Sequence, residues 1–256
     1  MKTALVTGAS SGIGASAARH LCASGYRVIL VARRLAQLSE VAAQIGPDAV
    51  VEVCDASSGA QVLALAERVR RQWGTPDVIV HCAGAGPWKR IEETSPAESL
   101  FMTQAPYLAA FNVTHAFMRD MLERRSGVVI YVNSPASICP WRSCVGYAAS
   151  RWALRGLHEA LCQDLAGTGV SSCQIVFGRT DGSYFEHNGV VAADVPAIAA
   201  TIRLLTTDEC GRIIAHHAEH PSRDAMYPLM LRLYWWLYRL APDLVRWTLR
   251  YGGNAN

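Results

Sequence analysis

The segment Thr7-Gly8-Ala9-Ser10-Ser11-Gly12-Ile13-Gly14 constrains this chain more than any other. It follows an apolar run, Ala4-Leu5-Val6, and leads into an Ala-rich stretch, 15–23, of helical composition. A strand that turns through glycines into a helix presents bare backbone N–H groups and the positive end of a helix to a phosphate. Gly8 suits the tight turn, Gly12 the close approach of a diphosphate, and Gly14 the packing of helix on strand. Glycines also gather in ordinary turns. Their place between strand and helix is what predicts a dinucleotide site, with Ser10, Ser11 and Ile13 in its loop.

Apolar runs and helical patterns alternate over most of the remaining sequence. The short apolar runs 2–7, 26–32, 49–54, 77–82, 126–133, 170–177 and 211–215 predict strands buried on both faces. Helical segments are expected near 12–24, 34–45, 58–73, 98–124, 147–167 and 194–206. The fold class is therefore α/β: a doubly wound parallel sheet of about seven strands, helices on both faces, and a C-terminal helical extension. Residues 1–225 read as the dinucleotide-binding domain and 226–256 as a distinct tail.

Composition removes other classes. With 51% apolar and 18% charged residues, the chain is not disordered. Residues 1–225 hold 20 basic and 20 acidic groups, so the body carries no nucleic-acid footprint. No apolar run reaches the ~20 residues that span a bilayer, and strand-like sequence starts at Lys2, where a signal peptide would differ. A cytoplasmic protein is expected. The eight cysteines form no CxxC pair and read as small core residues rather than a zinc site or disulfide frame.

The second strand runs into Ala32-Arg33-Arg34 with no carboxylate. An acidic group there would bond ribose hydroxyls and repel a 2′-phosphate; two guanidinium groups suit that phosphate. This predicts NADP rather than NAD, although Arg is also common at a solvated helix start. Asp55, ending the third strand, suits an adenine amino group or a helix N-cap. After the fifth strand come Asn133-Ser134-Pro135, and thirteen residues past Ser134 stands Tyr147, with Arg151 one helical turn further. A phenol of ordinary pKa about 10 is a poor acid–base catalyst at neutral pH, and a neighbouring cation favours its phenolate. A serine hydroxyl beside it can hold a carbonyl oxygen.

With these residues in place, the chain resembles the short-chain dehydrogenase/reductase family over roughly residues 2–215. The family's TGxxxGIG loop matches Thr7–Gly14 in full, and its Asn-Asn-Ala-Gly turn matches in part as His81-Cys82-Ala83-Gly84. Its serine and tyrosine match Ser134 and Tyr147, and its Pro-Gly segment appears as Phe177-Gly178-Arg179-Thr180. The resemblance implies an NAD(P)-dependent oxidoreductase with Tyr147 as proton donor and Ser134 orienting the substrate. It also implies cofactor contacts at Ala83, Gly84, Tyr147, Arg151, Gly178 and Thr180, and a homodimer or homotetramer. Three departures stand out. The catalytic lysine position is Arg151, which keeps the charge but cannot relay a proton. The catalytic asparagine position aligns with Pro106, with Gln104 and Asn112 as neighbouring substitutes. The nicotinamide-side threonine aligns with Gly182, beside Ser183.

Trp88, Trp141, Arg142, Tyr184, Phe185 and His187 follow strand ends, where ligands sit in this fold. The aromatics predict a bulky apolar substrate, with ordinary loop packing as the alternative for each one singly. His216, His217 and His220 lack a companion carboxylate or cysteine at ligand spacing, so no metal is expected. In the tail, Arg232, Arg239 and Arg246 recur every seven residues among Leu, Trp and Tyr, with Pro242 breaking the helix. Two roles are open: contact with a membrane surface, or a cap on the body, cleft or second subunit. The function expected is NADP(H)-dependent interconversion of a carbonyl and an alcohol. Its rivals are non-redox acid–base chemistry (cyclisation, dehydration or isomerisation) and a non-catalytic nucleotide-binding scaffold.

Overall fold

Strands covered on both faces favour apolar residues at most positions, and the central strands of the sheet are built mainly from such runs. The computed structural model describes residues 1–84, 86–182, 188, 190 and 194–250. In it, β1 (Thr3–Thr7), β2 (Arg27–Ala32), β3 (Ala49–Val53), β4 (Val78–His81), β5 (Gly127–Asn133), β6 (Val170–Phe177) and β7 (Asp224–Tyr227) form one sheet. All pairings are parallel, in the order β3-β2-β1-β4-β5-β6-β7. The register places Val6 between Leu30 and Val80.

The period of two assigns each strand residue to one of two cores. Ala4, Val6, Val28, Leu30 and Val80 face α1 (Gly12–Ala23), α2 (Leu35–Ile45) and α7 (Thr207–Glu219). Leu5, Ile29, Ile79 and Val129 face α3 (Gly59–Trp73), α5 (Ala109–Arg124) and α6 (Val145–Asp164). The chain winds from β1 outward to β3, then crosses back to β4 on the other side. Between β1 and β4 the winding reverses, and that reversal leaves a crevice at the carboxyl ends of the strands.

Three expected elements differ. Residues 211–215 are not a strand but lie inside α7, where Cys210, Ile214 and Ala218 recur every four residues on one buried face. Thr206 and Glu209 cap this helix reciprocally, Oγ1 accepting the Glu209 N–H at 3.0 Å and the carboxylate accepting the Thr206 N–H at 2.9 Å. The seventh strand is β7, so the boundary expected at 225/226 falls inside a strand. The helix expected at 194–206 is reduced to a 3₁₀ turn, Ala197–Thr201.

The long segment 98–124 is broken by chemistry at Pro106. The segment α4 (Pro96–Thr103) gives way to a π turn at Gln104–Leu108 before α5 begins. Proline has no N–H for the carbonyl four residues back, so the ladder widens, and the Ala109 N–H reaches Gln104 O, five residues away.

Beneath the crevice, His81 Nε2 lies 3.0 Å from Thr114 Oγ1, which lies 3.1 Å from the Tyr131 hydroxyl. Burial depresses the His81 pKa from 6.5 to about 3, so the folded chain holds it neutral. The unfolded chain binds a proton below 6.5 that the fold refuses, and stability falls as pH drops through the window from 6.5 to 3. The loss is about 1.4 kcal/mol per pH unit, or ~2 kcal/mol by pH 5. Thermal melts of the wild type should show a falling Tm from pH 7 to pH 5, and His81→Gln, which cannot titrate, should flatten that slope.

Candidate active site

The first crossover is shaped by glycines, of which Gly8 and Gly14 admit no side chain. A Cβ on Gly14 would lie 2.3 Å from Gly8 O, so α1 starts pressed on the turn before it. Gly12 has φ +54° and lines the cleft, and a Cβ there would meet no atom within 4 Å. That open ground in front of the α1 N-terminus is what a diphosphate needs, so the cradle fits a dinucleotide. Ser10 and Ser11 are tied to Arg34, whose Nη2 donates to their hydroxyls at 3.0 and 3.2 Å. Arg33 and Arg34 are exposed at the rim of the same cleft.

Asp55 also borders the cleft, but its Oδ1 accepts from the Ser57 N–H at 3.0 Å and the Ser57 hydroxyl at 2.7 Å. The cap of α3 is Ser58, which accepts from the Gln61 N–H. Asp55 therefore shapes the loop ahead of the helix rather than capping it. Asn112 Nδ2 donates to the carbonyls of Ala56 and Ser57 at 3.1 and 3.0 Å. This amide braces the Asp55 loop and does not replace the asparagine absent at Pro106. Gln104, at the start of the π turn, lines the cleft.

The cleft, about 650 Å³, is continuous from the glycine loop to the C-terminal helices, and Ala83, Gly84, Ser134, Tyr147, Arg151, Gly178 and Thr180 all border it. Tyr147 is 5% exposed, in the first turn of α6, and Arg151 one turn on is 7% exposed. The Arg151 guanidinium lies 5.0 Å from the Tyr147 ring centroid, and Nη1 donates to Val132 O at 3.2 Å. A Cβ on Gly84 would lie 2.4 Å from Arg151 Nη2, so the guanidinium occupies space that glycine leaves. Burial pushes the neighbouring Cys82 thiol up, so it stays protonated and packs as an apolar group.

Asn133 organises this wall and carried no role in the sequence reading. Its Oδ1 accepts the Ser134 N–H at 2.9 Å, and its Nδ2 donates to Arg151 O at 3.2 Å and Gln174 Oε1 at 2.8 Å. One buried amide thus joins β5, α6 and β6. The signal available was its position at the end of an apolar strand, where a polar residue has to find partners. Arg179, also overlooked, lines the cleft with Nε buried and without a hydrogen-bond partner among the described residues.

Trp88 and Trp141 roof the far end. Their rings meet edge-on at 4.8 Å, and Trp88 lies 5.9 Å from Tyr147. The Trp141 turn is closed by Cys144, whose Sγ donates to Trp141 O at 2.8 Å. Ser183, Tyr184, Phe185 and His187 lie outside the described residues. His216 and His217 lie on α7, His217 Nε2 within 3.1 Å of the Tyr227 hydroxyl. Among the described residues no group of three His, Cys, Asp or Glu side chains could hold a metal.

This arrangement has counterparts. The model of the short chain dehydrogenase family matches residues 2–188. The chain belongs to that family. An uncharacterised oxidoreductase of Staphylococcus saprophyticus is 33% identical over 184 residues, 70% of this chain and 79% of its own. A short-chain dehydrogenase from Streptomyces avermitilis superposes with a TM-score of 0.82 over 96% of both chains, and at 23% identity it establishes the fold. A metagenomic short-chain oxidoreductase solved with NADP is 28% identical, with a TM-score of 0.73 over 88% of this chain and 94% of its own. The family is one of oxidoreductases that use a nicotinamide cofactor, and in this short-chain dehydrogenase Gly8, Ser134 and Tyr147 border one cleft.

Proposed function

We propose that the protein interconverts a carbonyl and an alcohol on a bulky apolar substrate with NADP(H), and that Tyr147 moves the proton. The observation that carries this reading is one continuous cleft holding the glycine cradle, Arg34, Ser134 and buried Tyr147 together. The bound nicotinamide would supply or accept the hydride. Ser134 Oγ accepts the Ala136 N–H at 3.3 Å, which leaves its own hydrogen to donate to a substrate oxygen. Tyr147 would give its hydroxyl proton to that oxygen in reduction and take it back in oxidation. Arg151 keeps a permanent charge beside the phenol and, through Val132 O, fixes α6 to the end of β5. Trp88 and Trp141 would exclude water and favour an apolar group. Incubation with bulky apolar ketones and alcohols tests this, and cofactor absorbance should change in step with product. Substrate consumed at constant absorbance would point instead to non-redox acid–base chemistry.

The cofactor choice rests on Arg34 and on the solved relative that holds NADP. Arg34→Glu places a carboxylate between Ser10 and Ser11 in exchange for a guanidinium. Fluorescence titration should show NADPH affinity falling by about tenfold or more, with NADH nearly unchanged. Equal loss for both nucleotides would remove Arg34 from phosphate recognition.

A further inference from the structure

The last two helices, α8 (Leu229–Leu240) and α9 (Pro242–Thr248), have two unlike faces. Leu231, Tyr234, Trp235 and Tyr238 turn inward and line the cleft, and Leu231 packs with Ile138 and Val176. Their spacing is that of one helical face. Leu229, Leu233, Trp236, Leu237 and Leu240 follow the same period on the opposite face, and all are exposed, Leu240 at 81% and Leu229 at 67%. The pattern continues in α9, where Val245 is buried while Leu244 and Trp247 are exposed at 53% and 54%. Isolated surface leucines need no explanation, but an apolar face this dense marks a contact.

Charge selects the partner. Residues 226–256 hold four arginines, 232, 239, 246 and 250, against Asp243 alone, so the whole net charge of +3 arises here. Arg232 and Arg239, seven residues apart, run along one flank of the exposed apolar face. The Arg239 guanidinium stands 4.9 Å from the Trp235 ring centroid and 5.8 Å from that of Trp236. A two-fold contact between copies would set these arginines against each other with one carboxylate per chain to offset them. An anionic lipid surface answers every feature: phosphates for the guanidinium groups, the headgroup layer for Trp, and the acyl boundary for Leu. No helix among the described residues is long and apolar enough to cross a membrane, so the helices would lie in the interface.

We propose that the outer face of α8 and α9 docks on an anionic lipid surface, with the inner face forming a wall of the cleft. The docking stands apart from the redox reading, because its test measures no turnover. The full chain is sedimented with vesicles of phosphatidylcholine alone and of phosphatidylcholine with an equal part of phosphatidylserine. It should pellet with the phosphatidylserine vesicles, with a blue shift of Trp emission, and added salt should weaken the binding. Leu233→Asp/Leu240→Asp should cut the pelleted fraction about tenfold, since a charge is costly in the acyl boundary. Arg232→Glu/Arg239→Glu should do the same while leaving the apolar face intact. Both pairs of positions are exposed, and unchanged far-UV circular dichroism would show that each variant folds. Complete recovery in the supernatant with both vesicles would overturn the proposal, as would undiminished pelleting of both variants. So would a wild-type dimer that Leu233→Asp/Leu240→Asp dissociates without any vesicle binding, which would place a second copy on this face.

Discussion

Tyr147→Phe is expected to lower turnover by at least ~100-fold while the dissociation constant for NADPH stays within a few-fold of wild type. The hydroxyl is the group asked to move a proton, whereas the ring does the packing. The contacts with Trp88 at 5.9 Å and with the Arg151 guanidinium at 5.0 Å involve the ring and survive in phenylalanine. The fold and the cofactor cradle should therefore persist, and melting should shift little. Steady-state kinetics on any substrate that the wild type converts, paired with NADPH titration, read the two quantities separately. A variant that keeps a tenth or more of wild-type turnover would remove Tyr147 from the chemistry.

Gly14→Ala is the second large effect. Its added carbon would sit 2.3 Å from Gly8 O and 3.2 Å from Ala9 N. Both are backbone atoms in a turn clamped between strand and helix, so no rotamer relieves the overlap. Helix α1 must move off the turn, which costs about 2–3 kcal/mol on the scale of overpacked cores. For a chain of this size the Tm should drop by ~5–10 °C. The same displacement pulls the first N–H groups of α1 away from a diphosphate, so NADPH should fail to saturate the variant. Gly12→Ala is the comparison: its Cβ meets nothing, so the fold bears only the strain of the positive φ, about 1–2 kcal/mol, while the added carbon stands in the diphosphate's space and lowers affinity.

Short runs made mostly of apolar residues and closed by turn residues made most of the sheet legible, because strands covered on both faces carry few polar positions. The failure at 211–215 has a physical cause. Gly-Arg-Ile-Ile-Ala is a short apolar run, and such a run reads alike as strand or buried helix. The deciding signal lay upstream in Thr206-Thr207-Asp208-Glu209, a reciprocal cap that starts a helix. In contrast, β7 offers four residues, of which Asp224 is exposed, so pairing with β6 rather than its own pattern makes it a strand. At the site, local spacing singled out Gly8, Gly12, Gly14, Ser134, Tyr147 and Arg151, and all six border one cleft. It did not single out Asn133. Its place at the end of an apolar strand signals that it needs partners, but the partners themselves, Arg151 O and Gln174 Oε1, are distant in sequence and are not named by the linear pattern. The partners of Asn112, Ala56 O and Ser57 O, were hidden for the related reason that they sit over fifty residues away.

The fit of the Arg151 guanidinium against Gly84 couples the evolvability of two positions. A methyl group at 84 would lie 2.4 Å from Arg151 Nη2, so the far end of the guanidinium would have to shift. An exchange at 84 would therefore be felt first at Arg151, and through its bond to Val132 O at the joint between the helix and the sheet, rather than in the glycine cradle.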